Sequence, residues 1–204
     1  MPPGPSDAPQ RAPPRDRSEA LVAVAEVVDG TLVEAKVKGG FLVTVEHGPW
    51  SLTLDQHVVN DGSTATVYTR VVAYFLSREE LKLRVRARTF LDTISEKLGF
   101  GGAAVGDRAF MARYVARGRP ESRVRSILSG GLADALAVPW SLRVEVKRAP
   151  RKQRRTMGQD ARQLQVLAAG IDTDVDRMVG MFGVTQAALD VLGRIGSASS
   201  EPVP

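Results

Sequence analysis

The sequence predicts an α+β protein: a mostly antiparallel β-meander with two to four helices in a single layered domain. Three observations carry that class. Residues 31–88 contain short stretches rich in β-branched residues, separated by glycine-, proline- and acid-bearing turns. Beyond residue 89 the apolar spacing alternates between the helical and the strand period. The strand connections are too short for the crossovers that parallel strands require.

The 204 residues suffice for one domain with a full core, and 43% hydrophobic with 25% charged residues is ordinary globular usage. Residues 1–17 hold six of the twelve prolines and almost nothing that packs, so they read as a disordered proline-rich arm. The folded unit is expected over 18–196, followed by a disordered tail over 197–204.

In chain order, "SEALVAVAEVVDG" has Ser18 as an N-cap and Gly30 as a stop, although its valines suit a strand equally; the reading is helix. "TLVEAKV", "FLVTVEH", "WSLTLDQ", "TATVYTRVVAYFL" and "LKLRVRAR" follow as strands. In the last, Leu81, Leu83 and Val85 alternate with Lys82, Arg84 and Arg86, which predicts one buried face and one wet, cationic face. "TFLDTISEKLG" places Phe90, Leu91, Ile94 and Leu98 on one helical face. "RAFMARYVARG" reads as a strand. "PESRVRSILSGGLADALAV" reads as a helix with Val124, Ile127, Leu128 and Leu132 inward, weakened at Gly130-Gly131. "WSLRVEVKR" and "RQLQVLAAG" read as strands, and a final helix runs from about Thr173 to Ile195. Two stretches, "YVARGRPESRVRSIL" and "VLAAGIDTDVDRMVGMF", share the order strand, glycine, acidic turn, helix, which suggests two similar units on one sheet.

Composition removes several function classes. With no cysteine there are no disulfides, thiolate metal sites or cysteine nucleophiles. No apolar run reaches the ~18 residues of a membrane helix, and the N-terminal stretch lacks the apolar segment of a secretory signal. The expected compartment is the cytoplasm, with no membrane insertion.

The formal charge of +5 is concentrated. Eight basic residues between Arg143 and Arg162 face only Glu145 and Asp160, so this stretch alone carries +6. The strands on either side alternate as hairpin partners, so the segment 147–162 is expected to be a β-hairpin with a cationic, mobile tip. Its candidate contacts with a polyanion or partner are Lys147, Arg148, Arg151, Lys152, Arg154 and Arg155. Aromatic residues make up 5% of the chain, which limits base stacking.

Catalytic patterns are weak. His47 and His57 flank one hairpin and, with Asp55, would need a converging geometry to hold a metal; polar positions at strand ends explain them as well. "GFGGAA", Gly99–Ala104, satisfies a dinucleotide fingerprint in letters but follows a helix rather than a strand. Asp172, Thr173, Asp174 and Asp176 sit where a helix N-terminus favours caps and negative charge. No catalytic, metal or cofactor residues are therefore assigned, and no cofactor is expected.

The segments "VYTRVVAYF", "LKLRVR", "KLGF", "VGDRAFMARYVARG" and "VRSILS" together resemble a family of uncharacterised bacterial cytoplasmic proteins. That pattern has a Thr-Arg strand, a Gly-Asp-x-x-Phe strand and a closing helix after a Gly-acid turn. Here the matching elements are Thr69-Arg70, Gly106-Asp107, Phe110, Tyr114 and the Gly170–Asp174 turn, with Met111 where the pattern has an acid. The resemblance implies a coherent α+β unit with a turn at Gly106 and an inward Phe110, and it assigns no catalytic residue. The expected function is non-enzymatic: interaction with another macromolecule, chiefly a protein partner. The alternative is a binder of nucleic acid or another polyanion through the basic hairpin.

Overall fold

The computed structural model describes residues 16–35, 41–60, 62, 64–77, 79–90, 92 and 108–199. The strands are β1 (Thr31–Glu34), β2 (Phe41–His47), β3 (Trp50–Asn60), β4 (Ala65–Leu76), β5 (Lys82–Ala87), β6 (Tyr114–Arg119), β7 (Arg143–Arg148) and β8 (Ala161–Ala169). They form one antiparallel sheet in the order β1-β2-β3-β4-β8-β7-β5-β6. The helices are α1 (Arg17–Val27), α2 (Arg108–Arg113), α3 (Glu121–Ile127), α4 (Ala133–Ala135), α5 (Arg151–Met157) and α6 (Val175–Arg194). The α+β class is that of the sequence reading.

β1 to β4 make the expected meander, but β5 does not continue it. β8 and β7 lie between β4 and β5. β8 pairs with β4 along nine positions, from Tyr68↔Ala169 to Leu76↔Ala161, and this long ladder occupies the edge that a simple meander would give to β5. β5 instead sits between β7 and β6.

Period-two alternation splits every strand between two faces. Val43, Val45, Leu52, Leu54, Val71, Ala73, Phe75, Leu83, Val85, Val144, Val146, Leu164 and Val166 are all buried in one core. α1, α3 and α6 close that core on a single side of the sheet: α6 supplies Met178, Phe182, Leu189 and Leu192, and α1 supplies Leu21 and Val24. Each fully buried Leu or Phe stabilises the fold by roughly 1.5–3 kcal/mol, so this alternation fixes the register; on the second face Val72, Gln163, Gln165 and Leu167 are buried as well.

Local details depart from the sequence reading. α1 is capped by Asp16, which accepts from the Glu19 N–H at 3.0 Å, and not by Ser18. The chain leaves α1 through Asp29, at φ 51°, ahead of Gly30. The start of "RAFMARYVARG" is the helix α2, with a strand only from Tyr114. Phe110 and Tyr114 are four apart and fit either period; as helix and strand they stack at 5.4 Å, and Phe110 is buried. The Gly130-Gly131 weakness is a π-helical turn at Leu128–Leu132, where Gly131 has φ 126°. The two strand-to-helix units are β6–α3 and β8–α6, and both helices pack into the one core.

The helix expected after Thr89 is described only at Phe90 and Asp92; its remainder, "GFGGAA" and Gly106-Asp107 lie outside the described residues. So do residues 1–15 of the expected arm and 200–204 of the tail. Arg17 of that arm begins α1, and Ser199 of the tail bridges Leu76 through both backbone groups, at 2.8 and 2.9 Å.

Candidate anion-binding site

The face of the sheet opposite α6 is built from the alternate residues of each strand, and its rows are fixed by register. One row runs Arg117, Arg84, Glu145, Gln165, Val72 from β6 to β4. In the next row Lys82 lies opposite Arg119, Lys147 opposite Gln163, and Gln163 opposite Tyr74. The β5–β7 register, carried one residue past Leu83↔Val146, sets Lys82 beside Lys147. A third row holds Arg86, Arg143, Leu167, Arg70 and Asp55.

Acids are distributed unevenly over these rows. Arg70 forks onto Asp55 at 2.8 and 2.5 Å, and Arg86 onto Asp92 at 2.7 and 2.5 Å. Two bonds from Arg86 and two from Thr89 hold the Asp92 carboxyl far below the usual carboxylate range. The third row is thus neutralised pair by pair. Glu145 serves several cations at once: Arg143 forks onto Oε1, Arg84 Nε stands 3.3 Å away and Lys147 Nζ 3.8 Å. Gln165 Nε2 donates to its other oxygen at 2.7 Å. Burial pushes the Glu145 carboxyl up, but Arg143, Gln165 and Lys147 outweigh it and hold it below its ordinary value.

Lys82, Arg117 and Arg119 have no ion-pair partner among the described residues. With Arg84 and Lys147 they surround a shallow cleft of about 430 Å³, in which Glu145 is the only acid among the described residues. Like charges directly across strands oppose folding by a few tenths of a kcal/mol to about 1 kcal/mol per pair. Burial lowers the Lys147 pKa; Glu145 works against that, and Arg70 and Arg143 reinforce it. The cleft therefore holds more positive charge than its own acid can balance, and an anion is the chemical complement it lacks.

The connection between β7 and β8 is ordered into α5, contrary to the expected mobile tip. Pro150 sits at its N-cap, Arg154 Nε donates to the Ala149 carbonyl at 3.0 Å, and Arg154 Nη1 donates to Gln159 Oε1 at 3.0 Å. Met157 packs on Leu76, Ala149 and Ala161, with Tyr74 beside them. Tyr74, Leu76 and Ala161 belong to the open-face set of β4 and β8, so α5 lies over one end of that face.

Of the six residues named from sequence, Lys147 lines the cleft, while Arg151, Lys152 and Arg155 are exposed on α5. Arg148 ends β7 with Nη2 3.5 Å from Gln159, and Arg154 is turned inward and committed to the backbone. Arg117 and Arg119 escaped the sequence reading. Their two-residue spacing signals an exposed strand face, but nothing local places them beside Lys82.

The two histidines do not converge. His47 Nε2 lies 2.7 Å from Asp190 of α6, on the helix side, whereas His57 stands on the open face near Arg70 and Asp55. Burial and Arg70 push the His57 pKa down. Among the described residues no cluster of three or more metal-ligating side chains occurs. Asp174 caps α6 as expected, accepting from the Arg177 N–H at 3.0 Å. Asp172 does more: it is buried, pairs with Arg177, and its N–H donates to Thr69 Oγ1 at 2.9 Å, while Thr69 donates to the Gly170 carbonyl at 3.0 Å. The Thr69 strand and the Gly170–Asp174 turn thus meet directly, tying the start of α6 to β4. No helix is long and apolar enough to cross a membrane among the described residues. No protein-family model, curated protein or solved structure matches the chain.

Proposed function

We propose that this is a non-enzymatic binding protein whose ligand is an anionic macromolecule, held on the open sheet face and steadied by the cations of α5. The observation that supports it is the row Arg119, Lys82, Lys147: three cations in cross-strand register around a cleft whose only acid among the described residues is already shared by Arg143, Arg84 and Lys147. A compact fold keeps such a row against its own repulsion when the charge serves a ligand. Lys147, Arg148, Arg151, Lys152 and Arg155 are contacts in this reading, and Arg154 positions the helix that carries them.

The test is retention on immobilised heparin and its dependence on salt. The chain should bind at low salt, with log affinity falling linearly in log salt by roughly 0.7–0.9 for each phosphate-like contact. A Lys82→Glu/Arg119→Glu variant that keeps its fold should lose most of that slope. Failure of the wild-type chain to bind any polyanion at low salt would end this reading.

A second reading, a protein partner, is favoured by the opposite margin of the sheet. Edge strand β1 and the neighbouring β2 and β3 expose Leu32, Val33, Phe41, Val58 and Val59 beside the single β1 charge of Glu34, an apolar margin suited to strand addition by another chain. A stoichiometric protein that co-purifies with the wild type and is lost from a Val33→Lys variant would support it, and a lone monomer at native mass would reject it.

A further inference from the structure

We propose that the anionic macromolecule is a single-stranded nucleic acid, its sugar–phosphate backbone crossing strands β6, β5 and β7 along Arg119, Lys82 and Lys147 and one of its bases stacking on Tyr74. This rests on the anion-binding reading above and adds the ligand's class and its direction across the sheet.

Register carries the inference. Neighbouring strands lie about 4.8 Å apart, so the three cations span about 10 Å at right angles to the strands. The same row then continues through Gln163 on β8 to Tyr74 on β4, another 10 Å or so away. The order along this line is charge, charge, charge, neutral amide, aromatic ring. A phosphate backbone with an attached base presents the matching sequence of groups.

Between the cations and the ring the sheet is covered by its own side chains. Gln163 is only 2% exposed, and its amide is turned along the sheet to Gln165 Oε1 at 3.1 Å. The position between Lys147 and Tyr74 in that row therefore adds no charge of its own. Tyr74 is half-buried, its ring packed against the cluster of Leu76, Ala149 and Ala161. A steadied ring loses little entropy when a base stacks on it, and base–aromatic stacking tolerates any base because each has a π-face.

The alternatives fit less of the row. A duplex would satisfy the cations but keeps its bases stacked inside, and reaching Tyr74 would require extruding one at a cost of a few kcal/mol. A single strand already has bases free to splay outward. An acidic protein surface would meet the cations and leave both the ring and the 430 Å³ cleft beside Lys147 without a role. Arginine at Arg117 and Arg119 further suits phosphate, whose oxygens accept two parallel N–H bonds.

The experiment uses the full chain with three probes at one salt concentration: a labelled oligothymidylate, a duplex of equal length, and heparin. The single strand should bind at least about tenfold more tightly than the duplex. Tyr74→Leu, which keeps an apolar side chain against the Leu76, Ala149 and Ala161 cluster, should weaken the oligothymidylate about tenfold and leave heparin retention unchanged, whereas Tyr74→Phe should bind like wild type. Equal affinity for single strand and duplex would overturn the inference while leaving the anion-binding reading intact; loss of heparin retention in the wild type would remove both. Should Tyr74→Leu fail to fold, photo-crosslinking of a halogenated-uridine oligonucleotide to the wild type decides the matter. A crosslink at Tyr74 supports the stacked base, and crosslinks confined to other residues refute it.

Discussion

Glu145 has two roles that pull in opposite directions, and its substitution separates them. It is 8% exposed and is the acid against which Arg143, Arg84 and Lys147 are arranged. Replacing it by Gln leaves those cations without their counter-charge, which should destabilise the fold by about 1–2 kcal/mol, since its partners are themselves partly solvated. The same change removes the cleft's only negative charge among the described residues, so heparin should bind Glu145→Gln several-fold more tightly than wild type at equal salt. The pH dependence has a definite sign. The folded carboxyl titrates below its ordinary value of 4.5, so its stabilisation is complete above that value and is lost as pH falls through the folded pKa. Urea denaturation from neutral to acid pH should show this acid-side loss in the wild type and less of it in Glu145→Gln. A variant as stable as wild type that binds no tighter would show that Glu145 does not govern the cleft. Gly118 stands for a different constraint at the same place: a Cβ there would lie 2.1 Å from the Lys82 carbonyl oxygen and 2.7 Å from Val124, so glycine lets β6 approach β5 and bring Arg117 and Arg119 to the cleft.

Among the elements, α5 shows how a charged connection becomes a defined surface. Seven residues are too few for a helix to persist alone. What holds it is the Arg154 fork onto Ala149 and Gln159 and the packing of Met157 against the cluster of Leu76, Ala149 and Ala161. Arg154→Ala should therefore raise amide exchange throughout α5, while Arg151→Gln, Lys152→Gln and Arg155→Gln together should leave exchange and global stability within about 0.5 kcal/mol. Heparin elution should move to lower salt in both, through lost order in the first and lost charge in the second. Equal exchange in Arg154→Ala and wild type would mean that the fork does not organise the helix. Here the limits of sequence reading are physical. The charge of this segment is legible because it is local, and so is the alternation that makes β7 and β8 a hairpin. The inward turn of Arg154 is not, because a guanidinium that caps a carbonyl and one that meets solvent have the same neighbours in sequence. "RAFMAR" reads as a strand and folds as a helix for a related reason: aromatic residues four apart satisfy both periods, and Phe110 stacks on Tyr114 from the helix.

At the scale of the whole molecule, long-range pairing converts a chain whose charge is concentrated in one segment into a sheet with a cationic row. Residues 82, 119 and 147 are far apart in sequence, and they become neighbours because β8 takes the edge of β4 and leaves β5 between β7 and β6. The alternation within each strand predicts which face each residue occupies; it carries no information about which strands adjoin, so the class and the core were readable and the row was not. That row should cost stability in the free protein. Lys82 lies between Arg119 and Lys147, so Lys82→Glu converts two cross-strand repulsions into two attractions at once. The expected gain at low ionic strength is of order 0.5–1 kcal/mol. It should shrink as salt approaches about 1 M, where the screening length falls to about 3 Å. Heparin binding, in contrast, should be weakened at every salt concentration where the wild type binds. Stability and function then move oppositely on one substitution, which separates a ligand site from an incidental gathering of solvated lysines and arginines: in the latter case removing the repulsion would improve the protein with nothing lost. Denaturation of Lys82→Glu and wild type in parallel at low and high salt, with heparin retention on the same preparations, measures both sides. A variant that is less stable at low salt, or that still binds heparin like wild type, would mean that the row neither strains the sheet nor holds its ligand.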